Sequence, residues 1–487
     1  MALRTRERYL ASLKAMRPNI HKFGERIEDI TTHPATRRVV ESHARAFDAA
    51  FDPKLSEIFT TTSSFTGEKI HRFNALMTSL DEIVFNMKLK RASYRRTGTC
   101  SGGTCVGWNA SNVLWAITQE VDRECGTAYQ ERLKKWILHA QEKGLVVAGA
   151  LTDAKGDRSL KPSQQPNQDS NLRVVEVKKD GIVVRGAKVM IAGAAASDEI
   201  FVVPGTAYGR DEKYFSVAFV IPRDVEGLTI VEARRASDGR ELEEGFDIPE
   251  TGITQGYLFF ENVFVPNERV FLFGEYQFTG KFIQYFTANY RSCIGACVAG
   301  QGDVMIGAAM LMARANGLQV KTFQNKLVEM AVNNETTYSA GIGALAQGRQ
   351  HPSGVWVADS LAAHTNKVLV ATLPYQTKRI CQDICGGIAE TGCFPSYKDY
   401  TSPKYGGLIR KYLKAGQKVS AESRARAARL VEWLTLGAGV PGTMHGGGSP
   451  DGAKVVVRLE SAFEDYADYA AKVAGITEPV PEPERNR

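Results

Sequence analysis

The chain has 487 residues, of which 43% are apolar and 24% charged, with a formal net charge of +7 at neutral pH. That length is too great for one compact core and suits roughly two to four domains. The positive charge is mild and spread along the sequence rather than gathered in one block. This argues against dedicated nucleic-acid binding and suits an anionic small molecule, such as a CoA thioester or a phosphate-bearing cofactor.

Residues 1 to about 142 read as helical. Runs such as TRRVVESHARAFDAAFD and ALMTSLDEIVFNMKLKRAS place apolar residues three and four apart. The basic segment 1–19 lacks the apolar run and small-residue cleavage site of a secretory signal. No stretch reaches the roughly 18 uninterrupted apolar residues of a membrane helix, so a membrane is not an expected partner; nor, from the dispersed charge, is a nucleic acid. The expected location is the cytoplasm. There, metal and redox roles come ahead of disulfides for the eight cysteines.

From about 144 to 270 the texture changes to short β-branched runs, including LVVAGA, LRVVEVKK, GIVVRGAKVMI and YFSVAFVIP, broken by Gly, Pro and Asp turns. That pattern predicts an antiparallel barrel or sandwich. The polar, proline-containing stretch GDRSLKPSQQPNQDSN is expected to be a mobile connection. Beyond about 273, long helical patterns return. The predicted class is therefore mixed α+β, with an N-terminal helical domain (1–142), a middle antiparallel β domain (143–272) and a C-terminal helical domain (273–487).

Two cysteine pairs carry the strongest chemical signal. Cys100 and Cys105 flank a Ser-Gly-Gly-Thr loop, whose glycines let backbone amides turn toward a ligand. Cys293 and Cys297 stand four apart, which puts both thiols on one helix face. Cysteine thiolates are the usual ligands of iron–sulfur clusters. Four of them also suit zinc, and free cysteines often serve only as small buried hydrophobes. Cys381, Cys385, Cys393 and Cys125 are read as structural.

The segments RTGTCSGGTCVGWNA, GALTDAKGDRSLKPS, GIVVRGAKV, LFFENVFVPNERVFL, CVAGQGDVMIGAA, QDICGGIAETG and MHGGGSP span nearly the whole chain. Through them it resembles the 4-hydroxyphenylacetate 3-hydroxylase family, and within that family most closely the 4-hydroxybutyryl-CoA dehydratase/vinylacetyl-CoA Δ-isomerase branch. The resemblance implies an acyl-CoA-dehydrogenase-like fold, a homotetramer, FAD and, in the dehydratase branch, a [4Fe-4S] cluster. Three cluster ligands of the branch carry over, as Cys100, Cys105 and Cys297. The position of its histidine ligand falls on Tyr290, and Cys293 is the natural replacement. One extra residue separates Cys100 from Cys105.

Further positions depart from the branch. A tyrosine falls on Ile294, a lysine on Val298, an acid on Gln255, a glutamate on Gly442 and a flavin-side threonine on Ala192. The acid–base groups of the dehydratase are among these. The resemblance thus implies the cofactors and leaves the substrate open. It assigns Ala150, Leu151, Thr152, Asp153, Lys155, Arg158, Ala192, Gly193, Gly386 and Gly387 to the flavin, where the bland reading of the same residues is a polar turn and a helix end. Tyr290, Arg291 and His445 are the candidate catalytic groups, although Tyr290 also reads as a packing aromatic and the glycines after His445 as a hinge. The expected activity is a hydroxyacyl-CoA dehydratase or isomerase working by flavin radical chemistry. The alternatives are a two-component aromatic monooxygenase fed reduced flavin by a partner reductase, and a catalytically diverged member of the family.

Overall fold

The computed structural model describes residues 3–100, 104–234, 250–436, 444–478 and 480. Helical, β and helical regions follow one another as the periodicities predict. The main helices of the first region span Arg6–Ala15, Arg37–Phe51, Leu80–Thr97, Thr104–Cys125 and Tyr129–Lys143. Leu80–Thr97 has a full set of end signals. The Ser79 side chain accepts the Glu82 N–H, Arg95 and Arg96 sit at the negative end, and Gly98 ends the helix with a left-handed φ of 68°. Ile83, Met87, Lys90 and Tyr94 are buried along one face of this helix.

The β-branched runs form two sheets. One has six strands in the spatial order Glu25–Arg26, Ile20–Lys22, Leu228–Glu232, Gln255–Pro266, Gly181–Ala192 and Arg173–Val177. The other has four, in the order Val270–Phe273, Val217–Pro222, Glu199–Val202 and Val147–Ala150. Pairing is antiparallel except in two places. Ile20–Lys22 runs parallel to Leu228–Glu232, and Val147–Ala150 runs parallel to Glu199–Val202. In the first of these, a strand from the N-terminal region covers an edge that would otherwise expose unpaired backbone.

The stretch expected to be mobile is pinned instead. Gln165 accepts the Asp157 N–H at 2.9 Å and donates to the carbonyls of Asp157 and Leu160 at 2.6 and 3.2 Å. One glutamine side chain thereby satisfies backbone groups that composition alone assigns to solvent.

The third region is built on a single helix of 37 residues, Thr279–Ala315. Leu80–Thr97, Gln324–Ala346, Ser360–Val370, Leu373–Cys385 and Ala421–Thr435 pack around it. With its preceding turn this helix is long and apolar enough to cross a membrane, but 67% of its apolar window is buried against these neighbours. Gly300 permits a close approach of Leu80–Thr97, since a Cβ there would fall 2.6 Å from the Arg91 carbonyl oxygen. Asp303 then anchors both Arg91 and Arg95, at 2.9 and 2.6 Å. These contacts set Lys90 and Tyr94 against the segment that carries Cys293 and Cys297.

Candidate cofactor and substrate site

Cys293 and Cys297 sit one turn apart and are 2% and 8% exposed. The Cys293 sulfur accepts a hydrogen bond from Asn86 Nδ2 at 3.6 Å. Cys100 follows the end of the Leu80–Thr97 helix, and Cys105 lies in the first turn of Thr104–Cys125. The Cys100 thiol donates to the Cys105 sulfur, which raises Cys100 well above the usual thiol range. The same bond, together with the Lys90 charge and two backbone N–H groups at the helix start, outweighs burial at Cys105 and brings it down to about 6. Burial pushes Cys297 up to about 12 against the pull of Lys90, and it raises Cys293 as well.

Lys90 is the common element. It is buried, and burial disfavours its charge, but negative charge on Cys293, Cys105, Cys297 and Cys100 more than compensates and holds it above the ordinary lysine value. Its Nζ lies 5.8 Å from the centre of the Tyr290 ring. Burial and the charges on Cys105, Cys100, Cys297 and Cys293 raise Tyr290 well above a normal phenol. All four predicted cysteines therefore share one electrostatic neighbourhood with Lys90 and Tyr290. As they stand, no three His, Cys, Asp or Glu side chains among the described residues adopt metal-holding geometry. The donor set itself fits an iron–sulfur centre. It has four thiols outside any disulfide, a hydrogen-bond donor in Asn86 and a buried cation to offset thiolate charge.

The Gly-rich turn at 444–448 covers the other side of Tyr290. Gly447 and Gly448 both have positive φ, and a Cβ on either would fall 2.7 Å from an atom of Tyr290 or Arg291 respectively. Only glycine leaves room for both side chains. Arg291 Nε donates to the Gly447 carbonyl at 3.0 Å, and Lys367 Nζ donates to the carbonyls of Met444 and Gly446 at 2.9 and 2.6 Å. The structure thus brings Tyr290 and Arg291 together. His445 contributes a carbonyl that accepts the Gly448 N–H, while the residue itself is exposed.

Two family profiles cover the chain. Residues 5–272 match the 4-hydroxyphenylacetate 3-hydroxylase N-terminal domain, and residues 279–475 match its C-terminal domain. The chain belongs to the 4-hydroxyphenylacetate 3-hydroxylase family. It is 36% identical to the 4-hydroxybutyryl-CoA dehydratase/vinylacetyl-CoA-Delta-isomerase of Clostridium aminobutyricum, over 97% of this chain and 100% of that one. It is 27% identical to the 4-hydroxyphenylacetate 3-monooxygenase oxygenase component of Thermus thermophilus, over 89% and 88%. An oxygen-tolerant archaeal 4-hydroxybutyryl-CoA dehydratase from N. maritimus superposes with a TM-score of 0.94 at 34% identity, covering 100% of this chain and 98% of that one. A glutaryl-coenzyme A dehydrogenase, at 15% identity, TM-score 0.50 and coverage of 93% and 91%, bears on the fold alone. The fold is acyl-CoA-dehydrogenase-like, and the chain is an enzyme.

The segment expected to face a flavin lies on the strand Val147–Ala150 and the turn after it. The Thr152 carbonyl accepts the Val189 N–H at 2.8 Å, which sets this turn beside the strand that ends at Ala192 and Gly193. The Asp153 carboxylate pairs with Lys188 at 2.8 Å, and both residues are buried. Lys155 is half-buried and Arg158 exposed, and Lys188 Nζ also binds the Leu151 carbonyl at 2.9 Å. Gly386 and Gly387 lie apart, on the surface of the C-terminal bundle with open space around them.

Two pairs of the positions expected to depart from the branch are neighbours in space. Gln255 and Ala192 face each other as partners across two strands. Ile294 and Val298 form a small apolar cluster with Val370 against Tyr290. Gly442 lies outside the described residues. The residues that sequence reading missed are Lys90, Asn86 and Lys367. A signal was present, because Lys90 follows Ile83 and Met87 at helical spacing and so marks a charge on an apolar face.

Proposed function

We propose that this enzyme is an FAD- and [4Fe-4S]-dependent dehydratase or isomerase acting on a hydroxyacyl-CoA of the 4-hydroxybutyryl-CoA kind. The observation that carries this reading is the gathering of Cys100, Cys105, Cys293 and Cys297 around the buried Lys90. Cys100, Cys105, Cys293 and Cys297 would hold the cluster, with Cys293 taking the place of a histidine. Ala150, Leu151, Thr152, Lys155, Arg158, Ala192, Gly193, Gly386 and Gly387 are the residues proposed to face FAD. When bound, these groups supply one-electron and hydrogen acceptance and, where an iron can open, Lewis acidity. Lys90 offsets thiolate charge at the site. Tyr290 places a phenol beside the sulfurs, and its high affinity for its proton suits it to donate a hydrogen bond rather than act as a base. A site with four cysteine ligands is closed, which favours electron transfer unless one ligand is displaced.

The test is anaerobic purification followed by iron, sulfide and flavin analysis, with about four irons per chain expected. Zinc without acid-labile sulfide would sink the proposal. A Cys293→Ser variant that keeps its full iron would remove Cys293 from the ligand set.

Similarity to oxygenase components supports a second reading, an aromatic monooxygenase that receives reduced flavin from a partner reductase. Oxygen-dependent hydroxylation of 4-hydroxyphenylacetate with added reductase would establish it. Under that reading the paired cysteines have no task. Self-assembly, as the proposed homotetramer, is supported by the apolar residues of the last helices. Leu459, Phe463, Tyr469 and Val473 are exposed, at 92% for Val473. Activity in the cytoplasm, where thiols stay reduced, suits the cysteine site.

A further inference from the structure

Arg291 and Lys367 lie side by side beneath the 444–448 turn and are 7% and 0% exposed. Among the described residues, no carboxylate pairs with Arg291, and its guanidinium makes one hydrogen bond, from Nε to the neutral carbonyl of Gly447. The Arg291 side chain is not fully sealed, since 7% of its surface remains exposed. A guanidinium has five N–H donors in a fixed fork, and the outer pair matches two oxygens of a carboxylate or phosphate. Nearby groups feel the same positive field. Burial first, and then the Arg291 charge, brings Lys367 down to about 8 and contributes to lowering His364 to about 4. The position is continuous with the cysteine site, because the turn that receives Arg291 also packs its Gly447 on the Tyr290 ring, over which Lys90 sits.

We propose that Arg291, supported by Lys367, forms a subsite for an oxyanion of the ligand, either a carboxylate on the acyl chain or a phosphate. Identifying the ligand as an acyl thioester rests on the function proposed above; the subsite does not. Under the carboxylate form, the substrate is the thioester of a dicarboxylic acid.

The experiment compares calorimetric binding of succinyl-CoA and butyryl-CoA to the full-length protein, as purified, and to its Arg291→Gln and Arg291→Lys variants. A carboxylate subsite predicts that succinyl-CoA binds roughly tenfold or more tightly than butyryl-CoA, as a charge-assisted bond requires. Arg291→Gln then abolishes the preference, and Arg291→Lys keeps part of it. If both thioesters bind equally and Arg291→Gln weakens both alike, the oxyanion is a CoA phosphate. If Arg291→Gln keeps its melting temperature and leaves both affinities unchanged, the subsite is refuted. If neither thioester binds the unmodified protein, the acyl-CoA reading falls, and succinate and inorganic phosphate decide the subsite. Binding of either that is lost in Arg291→Gln sustains it, and no Arg291-dependent binding overturns it.

Discussion

Buried charge is handled differently in the β scaffold and at the cysteine site of the helical bundle. At the β scaffold several cations meet a carboxylate, whereas the buried Arg223 donates to the Ala195 carbonyl. Arg4 pairs with Asp198 at 2.6 Å, Lys188 with Asp153 at 2.8 Å, and Arg269 with Glu199 at 3.1 Å. In the bundle Arg429 pairs with Glu432 at 3.0 Å in the same way, but at the cysteine site Lys90 faces thiols and Arg291 faces a carbonyl. A buried charge without a counter-ion costs several kcal/mol, so the carboxylate-paired set reads as scaffold and the set at the cysteine site marks where a ligand belongs. The distinction also separates Asp153 from the other flavin candidates, because its charge is already matched.

The largest effect should come from breaking a scaffold pair. Asp153→Asn leaves the Lys188 ammonium buried and unmatched, and should lower unfolding free energy by about 3–5 kcal/mol in urea denaturation. Adding Lys188→Met should recover much of that loss. Next comes acid sensitivity in the N-terminal core. Burial depresses His43 and His71 to about 4, and neither nitrogen of the His43 ring has a partner among the described residues. Their folded values lie below the unfolded one. The stability this confers is therefore complete above about pH 6.5 and lost as the pH falls from there toward 4, at up to about 3 kcal/mol per histidine. His43→Phe should flatten the dependence of stability on pH between 7.5 and 5; an unchanged slope would remove His43 as a cause.

Gly447→Ala is expected to cost about 1–3 kcal/mol, because the new methyl meets Tyr290 at a backbone conformation that disfavours side chains. Thermal melting measures this, and the same variant should disturb ligand binding more than folding. Lys90→Met should have the smallest effect on stability, under about 1 kcal/mol in metal-free protein, because thiols can take up protons once the cation is gone. Its iron content after reconstitution should nevertheless fall. Equal destabilisation by Lys90→Met and Asp153→Asn would erase the distinction between the two regions.

Much of the frame was legible in the residues. Apolar spacing located the helical and β regions, and the i, i+4 spacing of Cys293 and Cys297 placed both on the central helix. The parallel pairing of Ile20 with Ile230 was not legible, since strand partners two hundred positions apart leave no local trace. Nor was the loop around Gln165, whose order depends on one side chain finding three backbone groups. Among site residues, Arg291 and Tyr290 were found through their nearness to cysteines. Lys90 and Lys367 were not, although each stands on the buried face of its helix.

By itself, then, the sequence determined the order of elements, the two cysteine pairs and the family, because these depend on local periodicity and on motifs read within a few residues. Only the tertiary structure decided which charges are matched. A lysine, an arginine or an aspartate has the same chemistry everywhere along the chain. Whether Asp153 serves Lys188 or a ligand, and whether Lys90 faces solvent or four sulfurs, is fixed by close approaches such as Gly300 against Arg91 and Gly447 against Tyr290. Coulomb energies depend on distance and burial, and both are set by packing between segments far apart in the chain.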